Sequence, residues 1–478
     1  MPNLFIAIAT GQRVANLPPI LEYGRPGDQI LWIESPHAKK QEWSRGSRAV
    51  LQRHGITTCG EVAVEPINAP GDLAEGLRRA LREARQQNPE LHPVVVANGG
   101  QKLSPLGLHV GTRDFSDPPP VWLYGENQPA SYWLFANGLN GGYQAKRYQH
   151  HRLDLADILE VADYQLGPHS SQHPFWPATT PPAAAPDGYA SDPERTAERH
   201  RRSYHNHQLK ALCEESKRVH GVPELELTPA NRKKLINSLH RLYCQLEKLR
   251  GRRCLDTADF YAMAQNCDDA ILKDLLHGSH LKYQQAVTDY CRSQHAQTEG
   301  SELPVIGPLF EQAVTLRLYQ WLQQNQGMGG VIQSAWHNVR VAHRNAPERV
   351  TAEWDLLLVL KNGVLWSLEC KAATAEYKDL DARFYNLEQA AGSHLARMAL
   401  VIPLFSPFSD EAWFAVSHKL RLQVEERNSG MRTLFVGLPG QPDHYFFGES
   451  PKYQHYTCPT LEEGLLQIFK GYSLKDSK

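Results

Sequence analysis

The sequence LFIAIATGQ at residues 4–12 and the sequence PVVVANGGQK at residues 93–102 decide the fold of this chain. Each stretch begins with a run of apolar residues and ends in a loop of glycine and polar side chains. A strand that is apolar at every position is typical of a parallel β-sheet that is covered on both faces. We therefore expect both runs to be buried strands of one sheet, each followed by a loop at its carboxyl end.

Two further strands and two helices fit between these stretches. Short apolar runs predict strands at residues 30–33 and 62–64, and helical patterns cover residues 38–54 and 72–86. Alternating strands and helices favour right-handed crossovers and an open, Rossmann-like α/β sheet. In such a sheet ligands bind beyond the carboxyl ends of the strands, which is where the two glycine-containing loops lie.

The composition excludes several classes of protein. The 478 residues are 41% hydrophobic and 22% charged, and 51 Lys and Arg residues stand against 52 Asp and Glu residues, a formal net charge of −1. A uniformly basic nucleic-acid-binding surface is therefore excluded, although a local basic patch is not. The eight cysteines form no CxxC pair, and no apolar run approaches the roughly 18 residues that a membrane helix needs. We expect a reduced, cytoplasmic protein of about three domains with no membrane partner.

Composition also predicts how the chain divides. We expect an N-terminal α/β domain at residues 1–165 and a linker at residues 166–190, where proline occurs with serine, threonine and alanine. A basic helical segment is expected at residues 191–300, since residues 191–253 contain 15 Lys and Arg against 8 Asp and Glu. It can track a nucleic-acid backbone, widen a dimer interface or simply pack beside the last domain. Residues 301–478 predict a second, mixed α/β domain.

The residues most suited to chemistry lie in this last domain. Asp355 begins one predicted strand, and Glu369, Cys370 and Lys371 end the next. Period-2 alternation puts Glu369 and Lys371 on one face of their strand and Cys370 on the other, in the core. A two-residue turn would place Asp355 on the wrong face, whereas a three-residue loop with Gly363 left-handed opposes Asp355 and Glu369. We therefore predict the three-residue loop, or a bulge.

Two carboxylates and a lysine that converge in this way can hold a divalent cation through oxygen ligands, with the Cys370 carbonyl as a further ligand. The cation acidifies a water and neutralises charge on a scissile phosphate, and Lys371 can orient that water or stabilise the phosphate oxygens. The alternative is a surface Glu-x-Lys ion pair, which is common in strands. The apolar strand residues around Leu356 and Leu365 weaken this alternative. A charged side chain is costly in apolar surroundings, so Asp355 and Glu369 need a reason to be there.

Asp355 with Glu369-Cys370-Lys371 resembles the PD-(D/E)xK motif of restriction-type nucleases, except that no proline precedes the aspartate. The resemblance implies a restriction-endonuclease-like fold for the last domain, with Asp355, Glu369 and Lys371 as catalytic residues. In related nucleases a glutamate on an earlier helix completes the acidic cluster, and Glu311 occupies that place here. The implied ligands of a Mn²⁺ or Mg²⁺ ion are Asp355, Glu369, Cys370 and Glu311.

The sequence Asn98-Gly99-Gly100-Gln101-Lys102, with Ser104 after it, resembles the signature loop of the CARF domain (CRISPR-associated Rossmann fold). Thr10-Gly11-Gln12, with Asn16 after it, resembles the other ligand loop of that domain. Adjacent glycines let backbone N–H groups approach a phosphodiester, with a helix N-terminus behind them. The ligand-binding residues that the resemblance implies are Thr10, Gly11, Gln12, Asn16, Asn98, Gly99, Gly100, Gln101, Lys102 and Ser104.

The order of sensor, linker and nuclease resembles the CRISPR ancillary nucleases that join a CARF domain to a PD-(D/E)xK domain. This match implies a homodimer of type III CRISPR antiviral defence that is activated by a cyclic oligoadenylate, with cyclic tetra-adenylate as the favoured ring. A two-fold symmetric ring fits a site built from two identical loops across a dimer axis. The implied substrates are single-stranded RNA or DNA, or duplex DNA that is nicked.

Two other functions stay open at this point. The chain can be a constitutive restriction- or repair-type DNA endonuclease whose N-terminal domain recognises a DNA end or a modified base. It can also be a CARF sensor that binds nucleic acid without cutting it, although the complete set of Asp355, Glu369 and Lys371 argues against this. A nicotinamide-binding domain is not expected, because the sequence lacks GxGxxG. Gln389 is a weaker candidate for positioning water or substrate, and Tyr124 is expected in the core, at a dimer interface or stacked on an adenine.

Overall fold

The structure is a computed structural model that describes residues 1–64, 69–115, 118–150, 153–178, 306–371, 377–403, 431–436 and 461–472. Residues 179–190 of the expected linker and the basic segment at residues 191–300 lie outside the described residues. Two β-sheets with helices packed against them make up the described chain, so the mixed α/β class is confirmed.

Seven strands form the N-terminal sheet within the described residues. In chain order they are β1 Asn3–Ile8, β2 Gln29–Glu34, β3 Thr57–Ala63, β4 His92–Val96, β5 Val121–Glu126, β6 Ser131–Phe135 and β7 Gln144–Arg147. Their order in the sheet is β3-β2-β1-β4-β5-β6-β7. The strands from β3 to β5 are parallel, and β6 and β7 are antiparallel. The strand order reverses between β1 and β4, and such a switch point is where open α/β sheets bind ligands.

Helices cover both faces of this sheet. They are α1 Leu17–Tyr23, α2 Pro36–Lys40, α3 Arg45–Arg53, α4 Pro70–Gln87, α5 Ser104–Thr112 and α6 Leu155–Val161. Consecutive residues of β1 belong to opposite apolar clusters: Ile6 packs in the cluster of α4 and α5, and Phe5 in the cluster of α1, α3 and α6. The burial of β1 on both faces confirms what its uniform hydrophobicity predicts.

The helix expected at residues 38–54 is instead two helices, α2 and α3. Between them Glu42 adopts a positive φ of 51°, and the ring of Trp43 packs against His37 at 5.1 Å between ring centroids. The turn brings the ring of Trp43 back onto His37, in the first turn of α2. The third strand also begins earlier than expected, at Thr57, and strands β5 to β7 were not anticipated from the sequence pattern.

The second sheet has six strands in the described residues. They are β8 Tyr164–Leu166, β9 Ile332–His343, β10 Val350–Leu360, β11 Leu365–Cys370, β12 Ala396–Pro403 and β13 Met431–Val436, in the order β13-β12-β11-β10-β9-β8. Strands β8 to β11 are antiparallel, and β11 to β13 are parallel. The helices of this part are α7 Ile306–Gln324, α8 Gln326–Gly330, α9 Tyr377–Ala391 and α10 Leu461–Lys470. No helix in the described ranges is both long enough and apolar enough to cross a bilayer.

The start of the expected linker belongs to the second sheet. Strand β8 pairs with β9, Gly167 N donates to Arg340 O at 2.7 Å, and Trp176 forms a bridge with Ala335. The boundary placed at residue 165 therefore falls inside β8, and residues 166–178 run along β9 and pair with it at several points. Without this segment β9 would present an unpaired edge, which proteins usually cover.

The two sheets are joined by the loop between β10 and β11. Asn362, at the tip of that loop, donates to the carbonyl oxygens of Glu126 at 3.2 Å and Asn127 at 3.0 Å. A Cβ atom on the neighbouring Gly363 would lie 3.1 Å from Val14 Cγ1, so the loop fits closely against the residues after β1. Ala130 N also donates to Tyr472 O, at 2.9 Å. The hairpin that carries Asp355 and Glu369 is thus anchored on the N-terminal domain.

Candidate functional site

The β10–β11 hairpin has the predicted three-residue loop. Leu356 pairs with Leu368 and Val359 with Leu365, and the same register puts Asp355 opposite Glu369. Gly363 has a φ of 81°, a left-handed conformation that glycine adopts without strain. Asp355 lies within β10 rather than at its start, because the strand begins at Val350. The register prediction is confirmed, and the carboxylates face each other across two strands.

Both carboxylates are buried. Glu369 is 0% and Asp355 9% exposed. Cys370 N donates to Asp355 Oδ2 at 2.7 Å, and Ser367 Oγ donates to Glu369 Oε1 at 2.6 Å. Two buried carboxylates side by side are costly unless a cation compensates them. The Cys370 side chain is buried, as predicted, and burial raises the pKa of its thiol well above the ordinary value.

The cation that compensates Asp355 and Glu369 is Arg383, on α9. Its Nη1 donates to Asp355 Oδ1 at 3.1 Å and to the Glu353 carbonyl oxygen at 3.0 Å, and it also hydrogen-bonds Glu369 Oε2. The sequence analysis did not single out this residue. The signal was present, because Arg383 lies beside the apolar face that Leu380 forms with other buried residues of α9, where a charge needs a buried partner.

Glu311 and Lys371 lie within electrostatic range of the pair. Burial and the charge of Asp355 raise the pKa of Glu311 to about 7, while Lys371 and Arg383 act in the opposite direction. Burial, followed by the charge of Asp355, also raises the pKa of Glu369. Backbone pairing fixes the start of the segment after β11, since Lys371 N donates to Val401 O at 2.9 Å. Electrostatic interactions thus connect the expected residues of this cluster: Glu311 is influenced by Asp355 and Lys371, and so is Glu369.

The donor chemistry of this cluster suits a hard divalent cation, because carboxylate and carbonyl oxygens are the ligands of Mg²⁺ and Mn²⁺. As the side chains stand, no group of three or more His, Cys, Asp or Glu residues in the described ranges is arranged to hold a metal ion. The guanidinium of Arg383 lies between Asp355 and Glu369 and hydrogen-bonds both. The residue types fit the expected ion, and Arg383 supplies positive charge beside Asp355 and Glu369.

The two glycine loops of the N-terminal domain contact each other at the switch point. A Cβ atom on Gly99 would lie 2.5 Å from the Ile8 carbonyl oxygen and 3.1 Å from Thr10 Cγ2. Such approaches exclude a side chain, so the loop after β4 passes directly over the end of β1. The backbones of both loops share one edge of the sheet, which is the arrangement expected from their positions after β1 and β4.

Three polar side chains of these loops turn inward. Asn98 exchanges two hydrogen bonds with the backbone of Gly125, at 2.8 and 2.7 Å. Asn16 is 2% exposed and donates to the Ile8 carbonyl oxygen at 2.9 Å. Ser104 is also buried, and its Oγ accepts from Gln101 N at 2.9 Å. These hydrogen bonds hold the two loops in place, and the expected contact of Asn16, Asn98 and Ser104 with a ligand stays a prediction.

The exposed members of the loops are Gly11, Gly100, Gln101 and Lys102. Gln12, which is partly buried, lines a cavity of about 540 Å³ between the two domains, together with Trp43, Tyr164 and His343. The end of α9 forms the opposite wall of this cavity, and Gln389 lies there rather than at the carboxylate cluster. Gln389 therefore lies near the loop after β1, and its role in positioning water or substrate stays a prediction.

No protein-family model matches the sequence, and no curated protein matches it. Among solved structures, protein VC1899 from Vibrio cholerae is similar over 98% of this chain and 99% of its own, with a TM-score of 0.53 and 14% identity. Can2 from Sulfobacillus thermosulfidooxidans, in complex with cyclic tetra-adenylate, has a TM-score of 0.44 and 13% identity over 90% of this chain and 95% of that chain. A type III CRISPR defence DNA nuclease activated by cyclic oligoadenylate has a TM-score of 0.46 and 14% identity over 98% of this chain and 52% of that chain. The likeness to the V. cholerae protein establishes a shared fold.

Proposed function

We propose that this protein is a cyclic-oligoadenylate-activated, divalent-metal-dependent endonuclease of type III CRISPR defence. The observation that carries the proposal is the facing pair Asp355 and Glu369, with Lys371 beside them, on a hairpin anchored to a domain with two glycine loops at its switch point. A surface ion pair is not an adequate alternative, because both carboxylates are buried. The substrate is single-stranded RNA or DNA, or a duplex DNA that is nicked.

Asp355, Glu369, Glu311 and the Cys370 carbonyl would hold a Mn²⁺ or Mg²⁺ ion, which when bound supplies Lewis acidity toward water and the scissile phosphate. Because Asp355 and Glu369 are buried between apolar strands, the orientation of their carboxylates is fixed. Lys371 orients the attacking water or neutralises charge on the phosphate oxygens. The serine hydroxyl of Ser367 holds Glu369 through its hydrogen bond of 2.6 Å.

The proposed activator is cyclic tetra-adenylate, bound by a homodimer. The backbone N–H groups of Gly99 and Gly100 and the charge of Lys102 would face its phosphodiesters, since Gly100 and Lys102 are exposed in the loop after β4. Exposed apolar side chains on α5, Leu106 and Val110 among them, provide a surface for the partner protomer next to these loops. Tyr124, at 41% exposed, lies at the same edge and can stack on an adenine or on the partner.

Two contacts can transmit the effect of ligand binding from the N-terminal loops to the Asp355–Glu369 pair. Asn98 bonds Gly125, and the adjacent Glu126 accepts from Asn362 at the tip of the catalytic hairpin. On the other side, Gly392 at the end of α9 lies beside Gln12, because a Cβ atom on it would be 3.8 Å from Gln12 Cα. A ligand shifts the equilibrium toward the cutting state if it binds that state more tightly.

The test is cleavage of labelled single-stranded RNA, single-stranded DNA and supercoiled plasmid with Mn²⁺, with and without cyclic tri-, tetra- and hexa-adenylate. Cutting that depends on one ring supports the proposal and identifies the activator and the substrate together. Equal cutting without any ring would support the constitutive endonuclease instead. Ring binding with no cutting under any condition would support a sensor that does not cleave.

A further inference from the structure

Arg383 occupies the place in which the carboxylate pair would bind a cation. A single nitrogen, Nη1, lies 3.1 Å from Asp355 Oδ1 and 3.0 Å from the Glu353 carbonyl oxygen, and it also hydrogen-bonds Glu369 Oε2. One positively charged group thus has three oxygen neighbours from β10 and β11, and one of these is a backbone carbonyl. This is the type of oxygen environment that hard divalent cations choose in proteins.

The charge of the site can be balanced by the guanidinium or by an ion, but two cations cannot share the same oxygens. Asp355 and Glu369 are buried, so their attraction for a nearby cation is weakly screened. For the same reason, a divalent ion at these oxygens repels a guanidinium a few ångströms away. The side chain of Arg383 is 28% exposed, so it has a route toward solvent while α9 stays in place.

We propose that the Arg383 guanidinium and a divalent cation exclude each other at the Asp355–Glu369 pair. Through its hydrogen bonds Arg383 holds the two carboxylates together, and it limits metal loading until it is displaced. This inference rests on the proposed nuclease function and adds a residue that controls it. It also gives α9 a role in regulation, since the helix that carries Arg383 ends beside Gln12 of the proposed ligand loop.

The test is Mn²⁺ binding to the full-length protein, followed by the electron paramagnetic resonance signal of the free ion, with no nucleic acid and no cyclic nucleotide. Arg383→Gln removes the competing charge, and the Mn²⁺ dissociation constant is expected to fall by about tenfold or more. Lys378→Gln is the matched control, because Lys378 is an exposed cation on the same helix, and it should bind Mn²⁺ like the wild type. Equal or weaker binding by Arg383→Gln overturns the proposal.

Arg383→Gln leaves two buried carboxylates unpaired and can fail to fold, so a second measurement uses the wild-type sequence. The chain is labelled with ¹⁵N in its arginine side chains, and the Arg383 resonance is identified by its loss in Arg383→Lys. Saturating Mg²⁺ should move this resonance to the position and solvent exchange rate of a free guanidinium. A resonance that does not change at saturation overturns the proposal.

Asp355→Asn separates the failure of this inference from the failure of the proposed function. If Asp355→Asn abolishes Mn²⁺ binding while wild type and Arg383→Gln bind equally, the metal site stands and the role of Arg383 is wrong. If no chain binds Mn²⁺ in a way that depends on Asp355, the metal-dependent nuclease itself is wrong, and the exclusion by Arg383 falls with it.

Discussion

The two candidate sites present different parts of the polypeptide. At the loops after β1 and β4 the glycines Gly11 and Gly100 are exposed, while the side chains of Asn16, Asn98 and Ser104 hydrogen-bond backbone groups of the protein. In the β10–β11 hairpin the backbone groups pair with each other between the two strands, and the side chains of Asp355 and Glu369 form the site. The first site thus depends on conformations and close approaches that only glycine allows. The second depends on compensation of buried charge.

Lys371→Ala should have the largest effect and should act on one site alone. We expect cleavage to fall by about 10²–10⁴-fold or more, because the variant loses the group that orients water or stabilises the phosphate. Cyclic tetra-adenylate should bind with unchanged affinity, measured by calorimetry. Lys378→Ala, an exposed lysine on α9, is the control and should cut normally. A loss of ring binding in Lys371→Ala would show that the two sites are not separable.

Lys102→Ala should have the converse effect. Removing one charge-assisted contact to a phosphodiester should weaken binding of cyclic tetra-adenylate by about tenfold or more, and activation should require correspondingly more ring. Mn²⁺ binding should not change, since Lys102 is in the other domain. Lys40→Ala, at the exposed end of α2, is the matched control. A variant that responds to the ring like the wild type would remove Lys102 from the ligand site.

The features that the sequence predicted well follow from local rules. The uniform hydrophobicity of residues 4–9 and 93–97 is enough for parallel strands covered on both faces, and the left-handed Gly363 is enough for the hairpin register. In both cases a few adjacent residues determine the conformation, so the local sequence is sufficient to predict it.

The features that it missed depend on distant parts of the chain. Residues 166–178 have the composition of a linker, and their partners come from β9 and α7, which lie far away in the sequence. The local sequence allows the side chain of Arg383 to point to solvent or to form a buried ion pair. It forms the ion pair because Asp355 and Glu369, on two different strands, lie next to it in the fold. The inward direction of Asn98 likewise depends on β5, a strand that the pattern did not indicate.

Asn362→Ala should moderately lower the stability of the protein, because Asn362 anchors the β10–β11 hairpin on the N-terminal domain. Asn362 is 3% exposed and donates two hydrogen bonds to the β5–β6 turn. Removing a buried donor and leaving its acceptors unpaired costs about 1–3 kcal/mol. The midpoint of urea unfolding should fall accordingly, whereas Asn137→Ala, at an exposed position, should leave it unchanged. An unaltered midpoint would mean that the hairpin does not depend on this anchor.

Glu311→Gln should have the smallest effect, visible as a change in pH dependence. The pKa of Glu311 is raised to about 7 in the folded chain, above the ordinary value of a glutamate, so the folded state binds the proton more tightly than the unfolded state does. The resulting stabilisation is fully present below about pH 4 and is lost as the pH rises through about 7. Without divalent metal, the wild type should therefore lose thermal stability relative to Glu311→Gln between about pH 5 and about pH 8. Glu348→Gln, at an exposed position, should follow the wild type. A constant difference between wild type and Glu311→Gln across this range would show that the pKa of Glu311 is not raised in the folded chain, and the buried charge of the second site would then rest on Asp355, Glu369 and Arg383.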